Sequence, residues 1–298
     1  MSIQELRHYG LFARTRKHKP WWLMRRVLFA LSAMLFLCPV ILRSGGAMSR
    51  RPPEFTYTGT YALLDDGDGN WRIRFFTSGM LTMTKRAATI DIFCVGGGGS
   101  GGRGANTNYG SGGGGGYTTL LNGLVLASGV GYTVFIGAGG TNLTASGAGN
   151  RGGTSSLALE GSVLTQAEGG YGGIYNGTPT YPYGAGGSGG STLSTDGGSN
   201  GSTPSVGGQG QGTTTREFHE GTGALYSGGG AGCAYNTTRR FGGAGGGGNG
   251  GVTSTSTPPT AGTPNTGGGG GAYGAGLMSG STAGGSGIVV IRNHRAAA

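Results

Sequence analysis

Apolar and polar positions between residues 55 and 84 follow a strand-like pattern. FTYTGTYALL and WRIRFFTSGMLTMT flank the cluster DDGDGN. Two β-rich runs around an Asp/Gly/Asn cluster predict a hairpin. ATIDIFCV, residues 88–95, reads as the next strand, followed by YTTLLNGLVLASG, GYTVFIGAGG, GTSSLALEG and SVLTQAEGG. SGIVVIRN, residues 286–293, closes the pattern. No segment after Arg51 has a 3.6-residue apolar period, so the body is expected to be mainly β, without helices. The apolar runs are short and few, enough for one small β-sandwich or roll.

Glycine fills the spaces between these strands: 74 of 298 residues, in tracts such as GGGGSGGRG, GSGGGGG and FGGAGGGGNGG. A strict G-X-Y period rich in proline is absent, which excludes collagen. The tracts are either flexible linkers or an ordered lattice. Ordering a glycine costs about 0.5–1 kcal/mol relative to alanine. The few apolar side chains here cannot easily offset that cost over so many glycines. Backbone hydrogen bonds between neighbouring extended three-fold helices can, at about 0.5–1.5 kcal/mol net each. Such a lattice needs rigid anchors at the tract ends, and the interleaved strands supply them. The expected fold is therefore a β-scaffold with interleaved glycine-rich loops forming a polyglycine II-type helix sandwich.

The formal charge of +10 is unevenly spread. Residues 1–51 hold ten of the 21 Lys/Arg and one of the 11 Asp/Glu, leaving a body of eleven basic and ten acidic residues. That near-neutral body has no basic stripe for nucleic acid. The leader contains VLFALSAMLFLCPVIL, residues 27–42, an uncharged run preceded by Arg25 and Arg26. It reads as an export signal or membrane anchor, or as a start upstream of the native one at Met48. A membrane is a partner only in the first case. The expected organisation is a basic leader (1–51), the start of the strand scaffold (52–95), a glycine-rich domain (96–293) and a short tail (294–298). Cys38, Cys94 and Cys233 are too few for a disulfide framework and are expected as free thiols.

Several chemical motifs fail on context. The strand and glycines at residues 90–102 mimic a dinucleotide turn, but no helix-forming sequence follows, and no acid occurs between Asp91 and Glu160. No lysine follows a glycine, which excludes a phosphate loop. GGSGG at 98–102 and 186–190 matches a nucleophile elbow by chance in so Gly/Ser-rich a chain. DDGDGN lacks the glycine and glutamate spacing of a calcium hand and reads as a tight turn. His219, in REFHE, reads as part of a solvated loop tip. Neither an enzyme nor a cofactor is expected, since titratable groups are scarce.

The interruptions in the glycine remain as candidate recognition segments: NTNY, IYNGTPTYPY, REFHE, AYNTTRRF and TSTSTPPTAGTPNT. Their aromatic residues and Asn, Thr and Arg donors suit carbohydrate or protein surfaces. The candidate contact residues are Tyr109, Tyr175, Asn176, Tyr181, Tyr183, Phe218, His219, Tyr235, Asn236, Arg239 and Arg240.

The order IDIFCVGGGGSGG, YTVFIGAGG, glycine-rich loops with aromatic and Thr/Asn tips, and a final GGSGIVVIRN resembles the glycine-rich domain of bacteriophage tail-fibre and tail-tip proteins. The resemblance covers most of the chain. It implies a virion adhesin whose loops contact a bacterial surface receptor, a polysaccharide or an outer surface protein, beside other tail-fibre subunits. The leader departs from that pattern and keeps a second expectation open: an exported or membrane-anchored bacterial surface protein carrying the same domain. A purely structural coat protein is the third. The glycine-rich extracellular region of receptor tyrosine kinases of the anaplastic lymphoma kinase type is similar in composition, but this chain lacks its cysteines and kinase.

Overall fold

The computed structural model describes residues 54–104, 110–174, 214–233, 239–274 and 282–295, all within the unit Ser49–Ala298. Among these residues the strands are β1 (Phe55–Tyr57), β2 (Tyr61–Gly67), β3 (Asn70–Phe75), β4 (Gly79–Met83), β5 (Ala88–Val95) and β6 (Thr118–Leu126). They continue with β7 (Gly131–Phe135), β8 (Ser155–Leu159), β9 (Ser162–Ala167), β10 (Thr215–Arg216), β11 (Leu225–Tyr226) and β12 (Ile288–Asn293). One 3-10 turn, Glu217–His219, lies between β10 and β11. The mainly β expectation holds. Two five-stranded antiparallel sheets, ordered β1-β4-β7-β8-β9 and β2-β3-β12-β5-β6, enclose a common apolar core.

The expected hairpin is β2–β3. Gly67 pairs with Asn70, leaving Asp68 and Gly69 as a two-residue loop, both with positive φ (51° and 73°). Those angles match the right-handed twist of the flanking strands, which is why Asp-Gly occurs here. Asp65 Oδ1 accepts the Gly67 N–H at 2.9 Å and fixes the entry to the turn.

Each flanking run is longer than one strand, however, and the sequence did not reveal the break. FTYTGTYALL divides into β1 and β2, and WRIRFFTSGMLTMT into β3 and β4, with the halves in different sheets. Both crossings occur at one corner. Thr60 N–H donates to Thr77 Oγ1 at 2.7 Å, and Phe76 N–H to Thr60 O at 2.9 Å. Gly59 and Gly79 abut there: a Cβ on Gly79 would lie 2.7 Å from the Gly59 nitrogen.

Strand β3 has simple alternation. Trp71, Ile73 and Phe75 enter the core, and Arg72 and Arg74 face outward. Strands β5 and β12 instead read as near-continuous apolar runs because they are buried on both faces. Ile90, Ile92, Cys94, Val289 and Ile291 enter the main core, whereas Phe93, Val95, Ile288 and Val290 form a second cluster with Phe218 and Tyr226.

Beyond the strand ends the pairing continues without a change of register. Val95 opposes Thr118 in the β5–β6 ladder, and the bonds that follow are Gly96 N–H to Tyr117 O, Gly99 to Gly114 and Gly102 to Ser111. Only every third residue now turns to that neighbour. The intervening residues turn elsewhere: Gly97, Ser100 and Arg103 donate to Gly153, Asn150 and Gly147, and Gly98 and Gly101 donate to Gly285 and Thr282. Carbonyls of the same tract accept from Gly140, from Gly170 and Gly173, and from Gly270 and Tyr273. The tract 96–103 thus has six hydrogen-bonded neighbours, at 2.7–3.0 Å.

The tracts extending both sheets interleave here. In the sandwich, core side chains hold sheets about 10 Å apart; without side chains the backbones close on one another. A Cβ on Gly97 would lie 2.0 Å from Ala138 O. Such burial requires partners for every N–H and C=O. Where a carbonyl is not in place, a small hydroxyl substitutes: Ser100 Oγ accepts from Asn150 N–H at 2.8 Å and Ser111 Oγ from Ile174 N–H at 2.7 Å.

Candidate functional site

The glycine lattice has two ends. One joins the sheets at Val95 and Gly96. The other is marked by a set of residues bonded to one another at the far end of their tracts. Gly104 and Gly110 both donate to Tyr273 O, Ser111 N–H donates to Ile174 O, and Cys233 N–H donates to Gly110 O. Arg103 bridges Gly147 and Tyr273 at the same level. These residues flank NTNY, IYNGTPTYPY and AYNTTRRF. Three candidate segments therefore leave the lattice from a single face.

Of the candidate residues, Tyr109, Tyr175, Asn176, Tyr181, Tyr183, Tyr235 and Asn236 lie outside the described residues. Arg239 is at the distal face, where its guanidinium donates to Gly250 O at 3.3 Å and Pro258 O at 3.0 Å. Arg240 O accepts from Gly250 N–H, and its Nε is buried without a hydrogen-bond partner. The Thr/Pro segment is divided. Thr257 pairs back to Val252 at the distal face, while Thr266 O accepts from Ser227 N–H near the sheets. Arg103 received no role from the sequence, being one residue inside a glycine run. Its guanidinium lies 4.7 Å from the centre of the Tyr273 ring, and its Nη1 donates to Leu143 O at 3.0 Å. Burial raises the Tyr273 hydroxyl above its ordinary value, against the opposing effect of Arg103.

REFHE belongs elsewhere: Arg216 and His219 are exposed, in keeping with a solvated reading of His219, whereas Glu217 and Phe218 between them are buried. Residues 214–226 lie across the outer face of β3, β12 and β5. Phe218 is 5% exposed and packs on Phe93, with the Arg292 guanidinium 4.1 Å from its ring centre. Its φ of 52°, and the 60° of His219, direct the chain back toward the sheet. Phe218 is therefore a buried anchor rather than a surface contact.

Glu217, fully buried, accepts from Arg72 Nη1 at 2.6 Å, Arg74 Nη2 at 2.7 Å and the Tyr226 hydroxyl at 2.6 Å. Burial, then the charge and hydrogen bond of Glu217, push the Tyr226 hydroxyl well above its usual range. Glu220 pairs with Arg72, Arg292 and Arg295, and Asp66 with Arg72 and Arg295. Asp91 accepts from Arg292 Nε at 3.1 Å and His294 Nδ1 at 2.6 Å. Acids and bases here are mutually engaged. The cluster fastens the 214–226 segment to the sheet, and its carboxylates are held by arginines rather than directed into a cleft.

No curated protein sequence matches the chain significantly. The model of the glycine-rich domain family matches residues 77–294, from the β3–β4 corner through the last strand. The match takes in four strands of the first sheet, three of the second and the lattice, and the chain belongs to the glycine-rich domain family.

Proposed function

We propose that the chain is a receptor-binding adhesin of a phage tail fibre or tail tip, in which the glycine lattice is a rigid support for recognition loops. We further propose that the cross-bonded tracts are polyglycine II-type helices, a reading supported by their three-residue hydrogen-bond repeat. The observation that carries the functional reading is the common face: Gly104, Gly110, Ile174, Cys233 and Tyr273 are tied together where three polar-aromatic segments depart. Loops that vary on a rigid scaffold are the usual place for binding residues. The work of this protein is binding rather than catalysis, and it needs no cofactor.

The test is replacement of residues 175–183 and 234–238 by Gly/Ser sequence of equal length, followed by cell-binding assays on a panel of intact bacteria. Loss of binding with unchanged thermal unfolding supports the adhesin reading. Unchanged binding, or binding by neither form to any strain, rejects it in favour of a structural coat. The arginine-flanked apolar run at 27–42 favours a second reading, a surface protein of the bacterium itself. Mass spectrometry of the native N-terminus separates the two: an intact, membrane-extracted residue 1 excludes the virion form.

A further inference from the structure

We infer that the distal face binds an acidic polysaccharide, one bearing carboxylate or phosphate groups along a hydroxyl-rich chain. The inference rests on the recognition role proposed above and names its ligand class. It comes from how charge is sorted along the molecule, which the near-neutral total of the body conceals.

Every acidic residue among the described residues belongs to the strand half. Asp65, Asp66 and Asp68 are at the β2–β3 turn, Asp91 is in β5, and Glu217 and Glu220 cross the second sheet. Glu54 precedes β1, Glu160 lies between β8 and β9, and Glu168 follows β9 at the first level of the lattice. The distal face has Arg103, Arg239 and Arg240 on neighbouring tracts, linked through Tyr273, Gly250 and Gly251. None of the three takes part in the ion pairs of the described residues. The segments leaving this face add one acid, Asp196, and no Lys or Arg before Arg239. A cationic face thus stands at one end of a body whose opposite charges are neutralised at the other.

Exposed apolar bulk is sorted too. Tyr61, Leu63, Met80, Val125, Phe135 and Val163 are exposed on the sheets, and Phe241 alone among the described large apolar residues is exposed toward the distal half. The described part of the distal face thus offers polar donors rather than apolar bulk. The guanidiniums of this face, with the Thr255 and Thr257 hydroxyls beside Val252, offer donors for sugar hydroxyls and planar forks for carboxylate or phosphate. Arg103 is already stacked on a ring, which holds its fork in place.

The test uses the full chain on immobilised polygalacturonate, poly(glycerol phosphate), neutral dextran and duplex DNA. Expected is binding to at least one acidic polymer and not to dextran, weakening about tenfold between about 50 and about 200 mM salt. The two acidic polymers separate carboxylate from phosphate. Simultaneous Arg103→Gln, Arg239→Gln and Arg240→Gln should reduce binding at least tenfold, and the three corresponding Lys substitutions, which keep the charge but not the fork, should bind between the Gln triple and the parent. Binding that survives the Gln triple is carried by the ten Lys/Arg of residues 1–51 and overturns the inference. So does binding to neither acidic polymer, equal binding to dextran, or preference for DNA. Bacteria bound through residues 175–183 and 234–238 without response to the charge substitutions overturn the acidic class alone. Absence of binding to bacteria rejects the recognition role itself.

Discussion

Glu217 and Arg72, 145 residues apart in the chain, meet at 2.6 Å on the outer face of the second sheet. Glu217 is inaccessible, whereas the side chains of Arg72 and Arg74 remain 12% and 28% exposed. Removing one partner of a fully buried ion pair costs about 3–5 kcal/mol. Water can still reach both arginines, so Glu217→Ala is expected to cost less, about 2–3 kcal/mol. The Tyr226 hydroxyl also loses its acceptor. Urea unfolding of the variant measures this directly, and a change below about 0.5 kcal/mol, the level of an ordinary surface site, would mean that the cluster does not fasten the segment.

The lattice makes a sharper prediction about two glycines. A Cβ on Gly99 would lie 2.1 Å from Tyr171 O and 2.4 Å from its carbonyl carbon, both backbone atoms that cannot turn aside. Gly147 has nothing within 4 Å of the same position. Overpacking in a dense interior typically costs about 1–3 kcal/mol and sometimes more. Gly99→Ala is expected at or beyond the top of that range, and Gly147→Ala within about 0.5 kcal/mol of the parent. Equal tolerance at the two positions by thermal unfolding would argue against close-packed tracts.

The strands were legible because strand residues reveal their environment through side chains. IVVIRN and IDIFCV even carried the signal that something covers the second sheet: runs apolar at both parities are buried on both faces. Arg72 and Arg74, alternating with Ile73 and Phe75, marked the charged side of that cover. What covers it was not legible, since REFHE is short and polar and its burial depends on partners far away in sequence. The glycine tracts posed the opposite difficulty. Period-three bonding leaves no mark on a sequence lacking side chains, so the neighbours of Gly99 could not be chosen from it. Arg103 was overlooked for the same reason: its level at the distal face is set by register that begins at Val95.

The buried thiols give a chemical reading of the same packing. Burial pushes Cys94 up to about 12 and Cys233 up to about 11, with hydrogen bonds from Thr165 and Thr253 opposing the shift. Only the thiolate is an effective nucleophile. At pH 8 both residues should resist iodoacetamide in the native protein and be modified in full in about 6 M guanidinium, where ordinary thiol acidity returns. Peptide mass spectrometry distinguishes the sites. Rapid native modification of Cys233 would mean that the distal end of its tract opens far more readily than its bond to Gly110 implies.

Asp91 links the cluster to acid stability. Burial alone would raise its carboxyl, but hydrogen bonds from His294, the Gly123 and Arg295 N–H groups and Arg292 hold it below its ordinary value. The folded state therefore favours the ionised form more than the unfolded chain does. That stabilisation is present in full above the unfolded carboxylate value of about 3.9. It disappears as pH falls from there through the lowered folded value, as protons bind the unfolded chain first. Asp91→Asn should cost about 2 kcal/mol at neutral pH, in the range for hydrogen bonds to a charged group. The variant should also lose less stability than the parent between about pH 4 and about pH 2, because the titrating group is gone. Urea unfolding at a series of pH values measures both effects. Parallel acid limbs in the two proteins would show that Asp91 has the same affinity for protons in the folded and unfolded chain, and that the tie from β5 to His294 contributes nothing to acid resistance.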